Sequence, residues 1–476
     1  MRVLLLFAPN VDSVEPFKSA RANPPRLMWG FPLGLGYLAA ILRQADFQVS
    51  ILDACFDSLS IEETISEVKK YKPDLVGIGS LTHTLRSSLE LAKKIKKIDS
   101  GIRIVFGGPH ATYDFDNLLK CDFIDYIVLG EGEVTFLDLC MKLNEGKSPD
   151  EIEGLAFREK SGVRRTAYRP LIENLDNLPL PARDLVNFNK YIKTYGVLEK
   201  SVDIMSSRGC TNVCAFCSSA HLFRSWRTRT PGKIIAEIKL LIANYPDIRS
   251  INFMDDNFTA DKKRVIKLSN LLVSEGLNNY NWVCLARVDQ LDEEMICVMK
   301  SAGCIRVHLG IESGSPQILK NINKRISLEQ AQNAVNLLKR YKIEAYSFFM
   351  IGLPGDTMET IDMTRKFAKR LESSNTGVFI AQIYPGTMLA QLQPVKNWAE
   401  YVYIPEITHP SIFTHPCVPC FIPEGLTREK LKKVCGAITR ELILLHFFKR
   451  FHLFIRKFIA DPRATCQYIV DVFLKK

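Results

Sequence analysis

The hydrophobic pattern splits the chain into two runs, each alternating short apolar stretches with longer amphipathic ones. In the first run, residues 3–8, 49–52, 75–78, 104–106 and 126–129 are short, apolar and rich in β-branched side chains, while 33–43 and 61–71 carry the helical period. Strands of that length separated by helices predict a parallel, doubly wound sheet over 1–145, with its ligand crevice beyond the carboxyl ends of the strands. The loops at those ends read Gly77-Ile-Gly-Ser80, Gly107-Gly-Pro-His110 and Gly130-Glu-Gly-Glu133. Glycine there permits close backbone approach to a ligand, and any strand-to-loop turn would use it as well. Over 146–198 the pattern changes: 154–157 and 163–168 suggest a small hairpin, and Leu178-Pro-Leu-Pro-Ala182 breaks regular structure as a linker does. The second run, 199–395, places strands at 202–205, 250–254, 281–286, 306–309, 345–350 and 378–383, with helices such as 233–244 between them. Six such units suit an open (β/α)6 partial barrel, with its site at the carboxyl ends of the strands. Residues 396–476 form a helical extension, with a helix expected over 426–445.

The chemistry-bearing stretch is Arg208-Gly-Cys-Thr-Asn-Val-Cys-Ala-Phe-Cys217, which leaves the strand at 202–205 through Ser206-Ser-Arg-Gly209. A four-iron cluster takes four cysteine thiolates, so three on one loop, Cys210, Cys214 and Cys217, leave one iron open. Coincidence among 13 cysteines and half of a zinc site are the competing readings. No matching cysteine-histidine pair follows nearby, which disfavours zinc. The spacing Cys-x3-Cys-x2-Cys after a strand, with Phe216 before the last cysteine, resembles the radical S-adenosylmethionine (SAM) superfamily. The resemblance implies that SAM chelates the open iron beside Phe216 and is cleaved by one electron to a 5'-deoxyadenosyl radical.

The other strand ends extend the resemblance. Asp255-Asp-Asn-Phe258 stands where the superfamily places acceptors for SAM's ammonium, implicating Asp255 and Asp256; an Asp or Asn there would also cap a helix over 260–271. Gly310-Ile-Glu-Ser-Gly314 resembles the segment at SAM's ribose and carboxylate, implicating Glu312 and Ser313. Phe349-Met-Ile-Gly-Leu-Pro-Gly-Asp356 resembles the adenine wall, shaped by Gly352 and Pro354. Arg287, in Ala286-Arg-Val-Asp289, either holds SAM's carboxylate through a bidentate fork or pairs near Asp289. Tyr384-Pro-Gly-Thr387 closes the sixth strand in the superfamily's manner.

In the first unit, Pro32-Leu-Gly-Leu-Gly-Tyr-Leu-Ala-Ala40 followed by the three glycine loops resembles the cobalamin-binding domain that precedes many radical SAM cores. That implies cobalamin contacts from Gly34, Ser80, Gly107, Gly108 and Glu131. One departure stands out: where base-off domains carry Asp-x-His-x-x-Gly, with the histidine as lower cobalt ligand, this chain reads Asp53-Ala-Cys-Phe-Asp-Ser58. Cys55 occupies the histidine slot, as a small buried hydrophobe would. His83 and His110 are the other histidines near the crevice. A radical SAM enzyme without bound cobalamin therefore stays open as a reading.

Composition narrows the class. At 476 residues, two or three domains are expected. The net charge of +11 would suit nucleic acid, but Lys and Arg are scattered on helices such as Lys93-Lys94-Ile-Lys96-Lys97, the pattern of a solvated face. The first nine residues break at Ala8-Pro-Asn10 without a cleavage site and read as a buried strand, and no apolar run would span a membrane. Thirteen cysteines without an export signal imply a reducing, cytoplasmic setting. Cys417-Val-Pro-Cys420 has chelating spacing but no second pair, and reads as incidental thiols near a substrate pocket. His446-Phe-Phe-Lys-Arg-Phe-His-Leu-Phe-Ile-Arg-Lys-Phe458 suits first a plain amphipathic helix and second a helix in peripheral contact with a membrane.

The combined expectation is an α/β protein: a Rossmann-like cobalamin-binding domain, a (β/α)6 partial TIM barrel radical SAM core and a helical extension. It resembles the group containing magnesium-protoporphyrin ester cyclases, hopanoid methylases and antibiotic methyltransferases. The group implies a 4Fe-4S cluster, SAM and cobalamin, an external electron donor such as flavodoxin or ferredoxin, and methyl transfer to, or cyclisation at, an unactivated carbon of a hydrophobic small molecule or lipid. A non-catalytic iron-sulfur sensor or electron carrier is the rival from another class, and polar motifs at successive strand ends argue against it.

Overall fold

The computed structural model of the protein describes residues 1–9, 30–195, 197–223, 225–396, 398 and 420–449. The first sheet contains β1 (Arg2–Phe7), β2 (Gln48–Asp53), β3 (Leu75–Gly79), β4 (Arg103–Gly107) and β5 (Tyr126–Val128), all parallel, in the order β2-β1-β3-β4-β5. The order reverses between β1 and β3, where doubly wound sheets open their ligand crevice. Helices α1 (Leu33–Gln44), α2 (Ile61–Tyr71), α3 (Leu85–Ile98), α4 (Pro109–Leu118) and α5 (Gly132–Asn144) cover both faces. The period of two explains why β1 is apolar throughout: Val3 and Leu5 enter one core cluster, Leu4 and Leu6 the other. Boundaries follow local chemistry; α2 begins at a capping box in which Ser60 and Glu63 each accept from the other's amide.

The hairpin expected between the units forms as β6 (Leu155–Glu159) and β7 (Gly162–Arg165). It pairs antiparallel with β5, so the first sheet has seven strands. β6 buries Leu155, Ala156 and Phe157, and β7 is exposed throughout, as a charged edge strand should be.

The second sheet runs β8 (Lys193–Tyr195), β9 (Leu198–Ile204), then, past the two-residue ribbon β10 (Ser207–Arg208) and β11 (Arg227–Thr228), β12 (Ser250–Phe253), β13 (Asn281–Ala286), β14 (Cys304–Glu312), β15 (Glu344–Ile351) and β16 (Asn375–Ile380). From β9 to β16 the sheet strands are parallel and adjacent in sequence order, which is the open half of a barrel. On β15, Ala345, Phe349 and Ile351 join the cluster that holds the helices Leu328–Arg340 and Met358–Arg370, leaving Tyr346, Phe348 and Met350 half-buried on the concave face. The expected C-terminal helix spans Arg428–Lys449 and buries Leu431, Cys435, Ile438 and Leu442 on one stripe, with Glu441 paired to Arg365 and Lys369 of the helix Met358–Arg370. This is the plain packed helix; residues 450–458 of the basic aromatic stretch lie outside the described residues, as does Cys417. No helix among the described residues is long and apolar enough to cross a membrane.

The carboxyl ends of the two sheets meet. The turn after β16 brings Gly386 onto the ring of Tyr113 in α4, where a Cβ would lie 2.5 Å from the ring. On the opposite flank, Tyr191 stacks on Phe56 at 3.8 Å and donates to Asp53 at 3.0 Å. Burial raises Asp53 to about 6, against the opposing hydrogen bonds from the Phe56 amide and Tyr191. Between the ordinary carboxylate range and pH 6 the native protein then keeps a proton that the unfolded chain has released, so stability falls as pH rises through that window and levels above it. The loss amounts to about 3 kcal/mol for a shift of this size. Asp53→Asn should flatten the pH 4 to pH 7 difference in urea-unfolding free energy by that order; an unchanged slope would mean that Asp53 ionises at its ordinary pKa.

Candidate functional site

The cysteine loop is aimed by what precedes it. Asp255, at the end of β12, is buried and accepts from the Ser206 amide at 2.6 Å and the Ser206 and Ser207 hydroxyls, with Arg264 beside it at 3.6 Å. Gly209 then turns the chain at φ +83, where a Cβ would lie 2.2 Å from the Ser225 carbonyl oxygen, so only glycine passes. Farther along, the Cys217 amide closes a turn on the Cys214 carbonyl, and the Ala215 amide and Val213 carbonyl are held by Ile322 and Asn323. Burial pushes the Cys217 thiol up to about 11, with Asp256 adding to it; burial also raises Cys214, although Lys324 opposes. The Asn257 and Asn212 amides point at the Cys210 sulfur from 3.7 and 3.9 Å.

The structure separates the two adjacent aspartates. Asp255 is consumed in the support just described. Asp256 reaches open space, accepting from Ser219 at 2.9 Å and the Gly209 amide at 3.2 Å, in a concavity crowded enough that burial raises its carboxyl. The helix that follows, Lys262–Ser274, is capped by Asp261 and not by the 255–257 stretch. Arg287 forms the ion pair, with both Asp289 oxygens at 2.9 and 3.0 Å and the Lys324 carbonyl at 2.9 Å.

Glu312 sits at φ +74 after a bulge in the β14–β15 pairing, which re-aims its side chain into a buried 2.7 Å bond with Lys324. Asn323 and Arg325, on either side of Lys324, are also left-handed. Three such non-glycine residues around one buried pair mark a place where surrounding structure holds the backbone in costly conformations. Lys324 was not foreseen, because nothing in Asn321-Ile-Asn-Lys-Arg325 has a recognisable spacing; its ammonium also lies 5.8 Å from the Phe216 ring centre. Ser313 is buried against Thr364 and the Ser315 amide. Gly352, at φ +81, is closed over by Phe421 and Leu431, and the Pro354 carbonyl accepts from Asn321.

In the N-terminal crevice, Ser80 follows β3 with a buried hydroxyl that has no partner among the described residues. Gly107 and Gly108 lie across from it; Gly108 turns at φ +98, and a Cβ there would stand 3.0 Å from the Ser80 carbonyl. A Cβ at Gly34 or Gly130 would meet nothing within 4 Å. Cys55 is buried. His110 is also buried, its Nδ1 on Thr82 and its Nε2 3.4 Å from Asp114, edge-on to Trp398. His83 is half-buried in the Thr82–Thr84 turn. The Glu131 carboxylate accepts from Arg208, Arg227 and the Ile172 amide, at the interface between the two domains.

These residues fit the implied groups. No three His, Cys, Asp or Glu side chains among the described residues converge as a single metal ion would need. A cubane instead takes one thiolate at each of three separate corners, and a loop spreading three thiols around one turn suits it. Thiols held protonated by burial give up their protons to a coordinating cation. An orphaned buried hydroxyl beside glycine loops, with open space at Gly34 and Gly130, is what a large bound ring would complete.

Residues 28–140 match the B12 binding domain and residues 204–368 the radical SAM superfamily. An uncharacterized methyltransferase of Pyrococcus horikoshii is 36% identical over 422 residues, covering 87% of this chain and 89% of that protein. The anaerobic magnesium-protoporphyrin IX monomethyl ester cyclase of Rubrivivax gelatinosus is 31% identical over 347 residues, 71% of this chain but only 62% of the cyclase. The fold is similar to that of TsrM, a radical SAM methyltransferase from Kitasatospora setae solved with cobalamin and a 4Fe-4S cluster bound: TM-score 0.71, 18% identity, 92% of this chain and 91% of that one. The chain belongs to the radical SAM superfamily, in the group whose core follows a B12-binding domain.

The Glu312–Lys324 pair can be tested on its own. Lys324→Met leaves a buried carboxylate unpaired and should cost about 3 to 5 kcal/mol, most of it regained in Glu312→Gln/Lys324→Met. Thermal unfolding of both variants checks this; no recovery in the double variant would mean that Lys324 supports the loop through some other contact.

Proposed function

We propose that the protein is a cobalamin-dependent radical SAM enzyme that methylates a carbon of a hydrophobic small molecule. The observation that carries this reading is the meeting of two strand-end surfaces: the loop of Cys210, Cys214 and Cys217, and the crevice of Ser80, Gly108 and Gly130, flank one interface, joined where Arg208 reaches Glu131. When bound, the cluster supplies the electron for SAM cleavage and the corrinoid supplies the methyl group.

The chain's own residues place these groups. The three cysteines would hold three iron corners, with the Asn257 and Asn212 amides directed at the Cys210 sulfur. Asp256 is the open acceptor for SAM's ammonium, next to Cys217. Glu312 and Lys324 stand at the ribose and carboxylate end, Phe216 beside them, and the backbone at Gly352 and Pro354 lines the adenine side. Gly34, Ser80, Gly107 and Gly108 would border the corrinoid, with Cys55 where other domains carry histidine.

A hydrophobic substrate is favoured by the concave face of the half barrel. There His308 stacks with Tyr346 and Phe348 at 5.3 and 5.6 Å, and Phe348 meets Phe379 at 5.9 Å. Burial, followed by Arg306, drives His308 down to about 4, so this imidazole is uncharged at neutral pH. Met254, at the end of β12, and Leu285, on β13, are exposed nearby. A flavodoxin- or ferredoxin-class donor would supply electrons, and the basic aromatic tail would provide any peripheral membrane contact. Cyclisation is the second reading, favoured by the 31% identical cyclase.

Anaerobic purification with hydroxocobalamin, followed by iron assay, visible spectrum and SAM cleavage after chemical reduction, tests the proposal. Iron, corrinoid absorbance and 5'-deoxyadenosine are all expected. Cys217→Ala should lose iron and cleavage, while Asp256→Asn should keep iron and weaken SAM binding by about tenfold or more, the worth of one hydrogen bond to a charged group. Cleavage without corrinoid would reject methyl transfer in favour of cyclisation or rearrangement, and absence of iron would reject the radical SAM reading of the loop.

A further inference from the structure

Two residues before Cys210, Arg208 is almost fully buried with its guanidinium forked between two carboxylates of the N-terminal domain: Nη1 to Glu131 at 2.9 Å and Nη2 to Glu133 at 2.5 Å. The ring of Tyr37, from α1, lies beneath it at 5.3 Å. Glu131 also accepts from Arg227 at 2.8 Å and from the Ile172 amide at 2.8 Å, and Arg227 donates to the Ile172 carbonyl at 2.7 Å. Arg208 and Arg227 face each other across the β10–β11 ribbon, so both ends of the segment carrying the cysteine loop are gripped by one acidic turn. Burial alone would raise Glu131, and the two guanidiniums outweigh it, holding it below the usual carboxylate range.

The same turn has a second face. Gly130, adjacent to Glu131, is left-handed, open on its Cβ side, and fixed to Thr112 of α4 through its amide at 3.0 Å. The crevice and the cysteine loop are therefore the two ends of a lever only a few residues long. Pure stabilisation is a poor account of it, since Arg227 leaves its Nε and Nη2 buried without partners among the described residues, a cost that a contact optimised for stability would avoid.

We propose that Arg208 is a positioning residue: the Glu131–Arg208–Glu133 clamp transmits corrinoid occupancy of the crevice to the cysteine loop, ordering Cys210 to Cys217 when the crevice is filled. This inference rests on the cobalamin reading above. Hydrogen exchange by mass spectrometry, followed over peptides spanning 130–136 and 209–217 with and without hydroxocobalamin, tests it in the full chain before any cluster is reconstituted. In the wild type, hydroxocobalamin should slow exchange in both segments. Glu133→Gln should keep protection at 130–136 and lose about tenfold of it at 209–217, the scale of one coupled buried contact. Because one unpaired buried charge could unfold the chain, Glu133→Gln/Arg208→Gln serves as the uncharged counterpart, with the same loss expected. Equal protection of 209–217 in wild type and variants would overturn the clamp while leaving cobalamin binding standing. Failure of the wild type to bind hydroxocobalamin, read from its absorbance, would overturn the clamp together with the reading it rests on.

Discussion

A carboxylate removed from water must find donors, and at the centre of this protein Asp255 finds them in the turn that leaves β9. Two serine hydroxyls, one amide and a guanidinium converge on it. Arg264, whose buried guanidinium also donates to the Ser206 hydroxyl, ties the same turn to the carboxylate a second time. The turn is thereby committed before the first cysteine is reached. Gly209 then makes the only bend its surroundings allow, and the three thiols follow on a path whose start is fixed by charge and whose middle is fixed by main-chain bonds to Ile322 and Asn323.

A pattern recurs around this centre, in which buried charges are answered by carboxylates or guanidiniums, several of them distant in sequence. Arg183, in the connector, meets Glu237 of the helix at Pro231–Asn244, and Arg229 meets the same carboxylate from the other side. Arg208 meets Glu131 and Glu133, more than seventy residues earlier. Such pairs add little net stability over apolar packing but are costly to break singly. They specify one arrangement of the two sheets over others that the apolar clusters would tolerate, which matters for a protein whose reacting groups come from both.

This pattern also explains what could be read from the chain. α2 was legible to the residue because its period and its Ser60–Glu63 capping box are local. The barrel strands were legible because each apolar run is bounded by its own turn. The hairpin at 155–165 was legible as a hairpin but not as part of the first sheet, because edge pairing with β5 depends on a partner that no local pattern names. At the site, the cysteines announced themselves by spacing. The division of labour between Asp255 and Asp256 did not, since adjacent strand-end residues face opposite ways and only the fold decides which way is inward. The resemblance of Gly130-Glu-Gly-Glu133 to a cobalamin loop points Glu131 toward the crevice, while nothing near it in sequence names Arg208 and Arg227 as partners of its carboxylate.

The absence of histidine at position 55 gains meaning in this setting. An imidazole there would need space and a hydrogen-bonded second group to orient it. The carboxyl that would serve, Asp53, is already bonded to Tyr191 of the connector, and Phe56 stacks on the same tyrosine. The loop after β2 has been built into the join between domains and is closed with apolar and aromatic contacts, leaving Ser80 and the glycine loops as the groups that face the crevice. A corrinoid held there would be gripped from its edges by backbone and hydroxyl, and this loop would not hold the metal by a nitrogen. In that arrangement affinity depends on the shape of the crevice, and the crevice in turn depends on the turn that Arg208 grips.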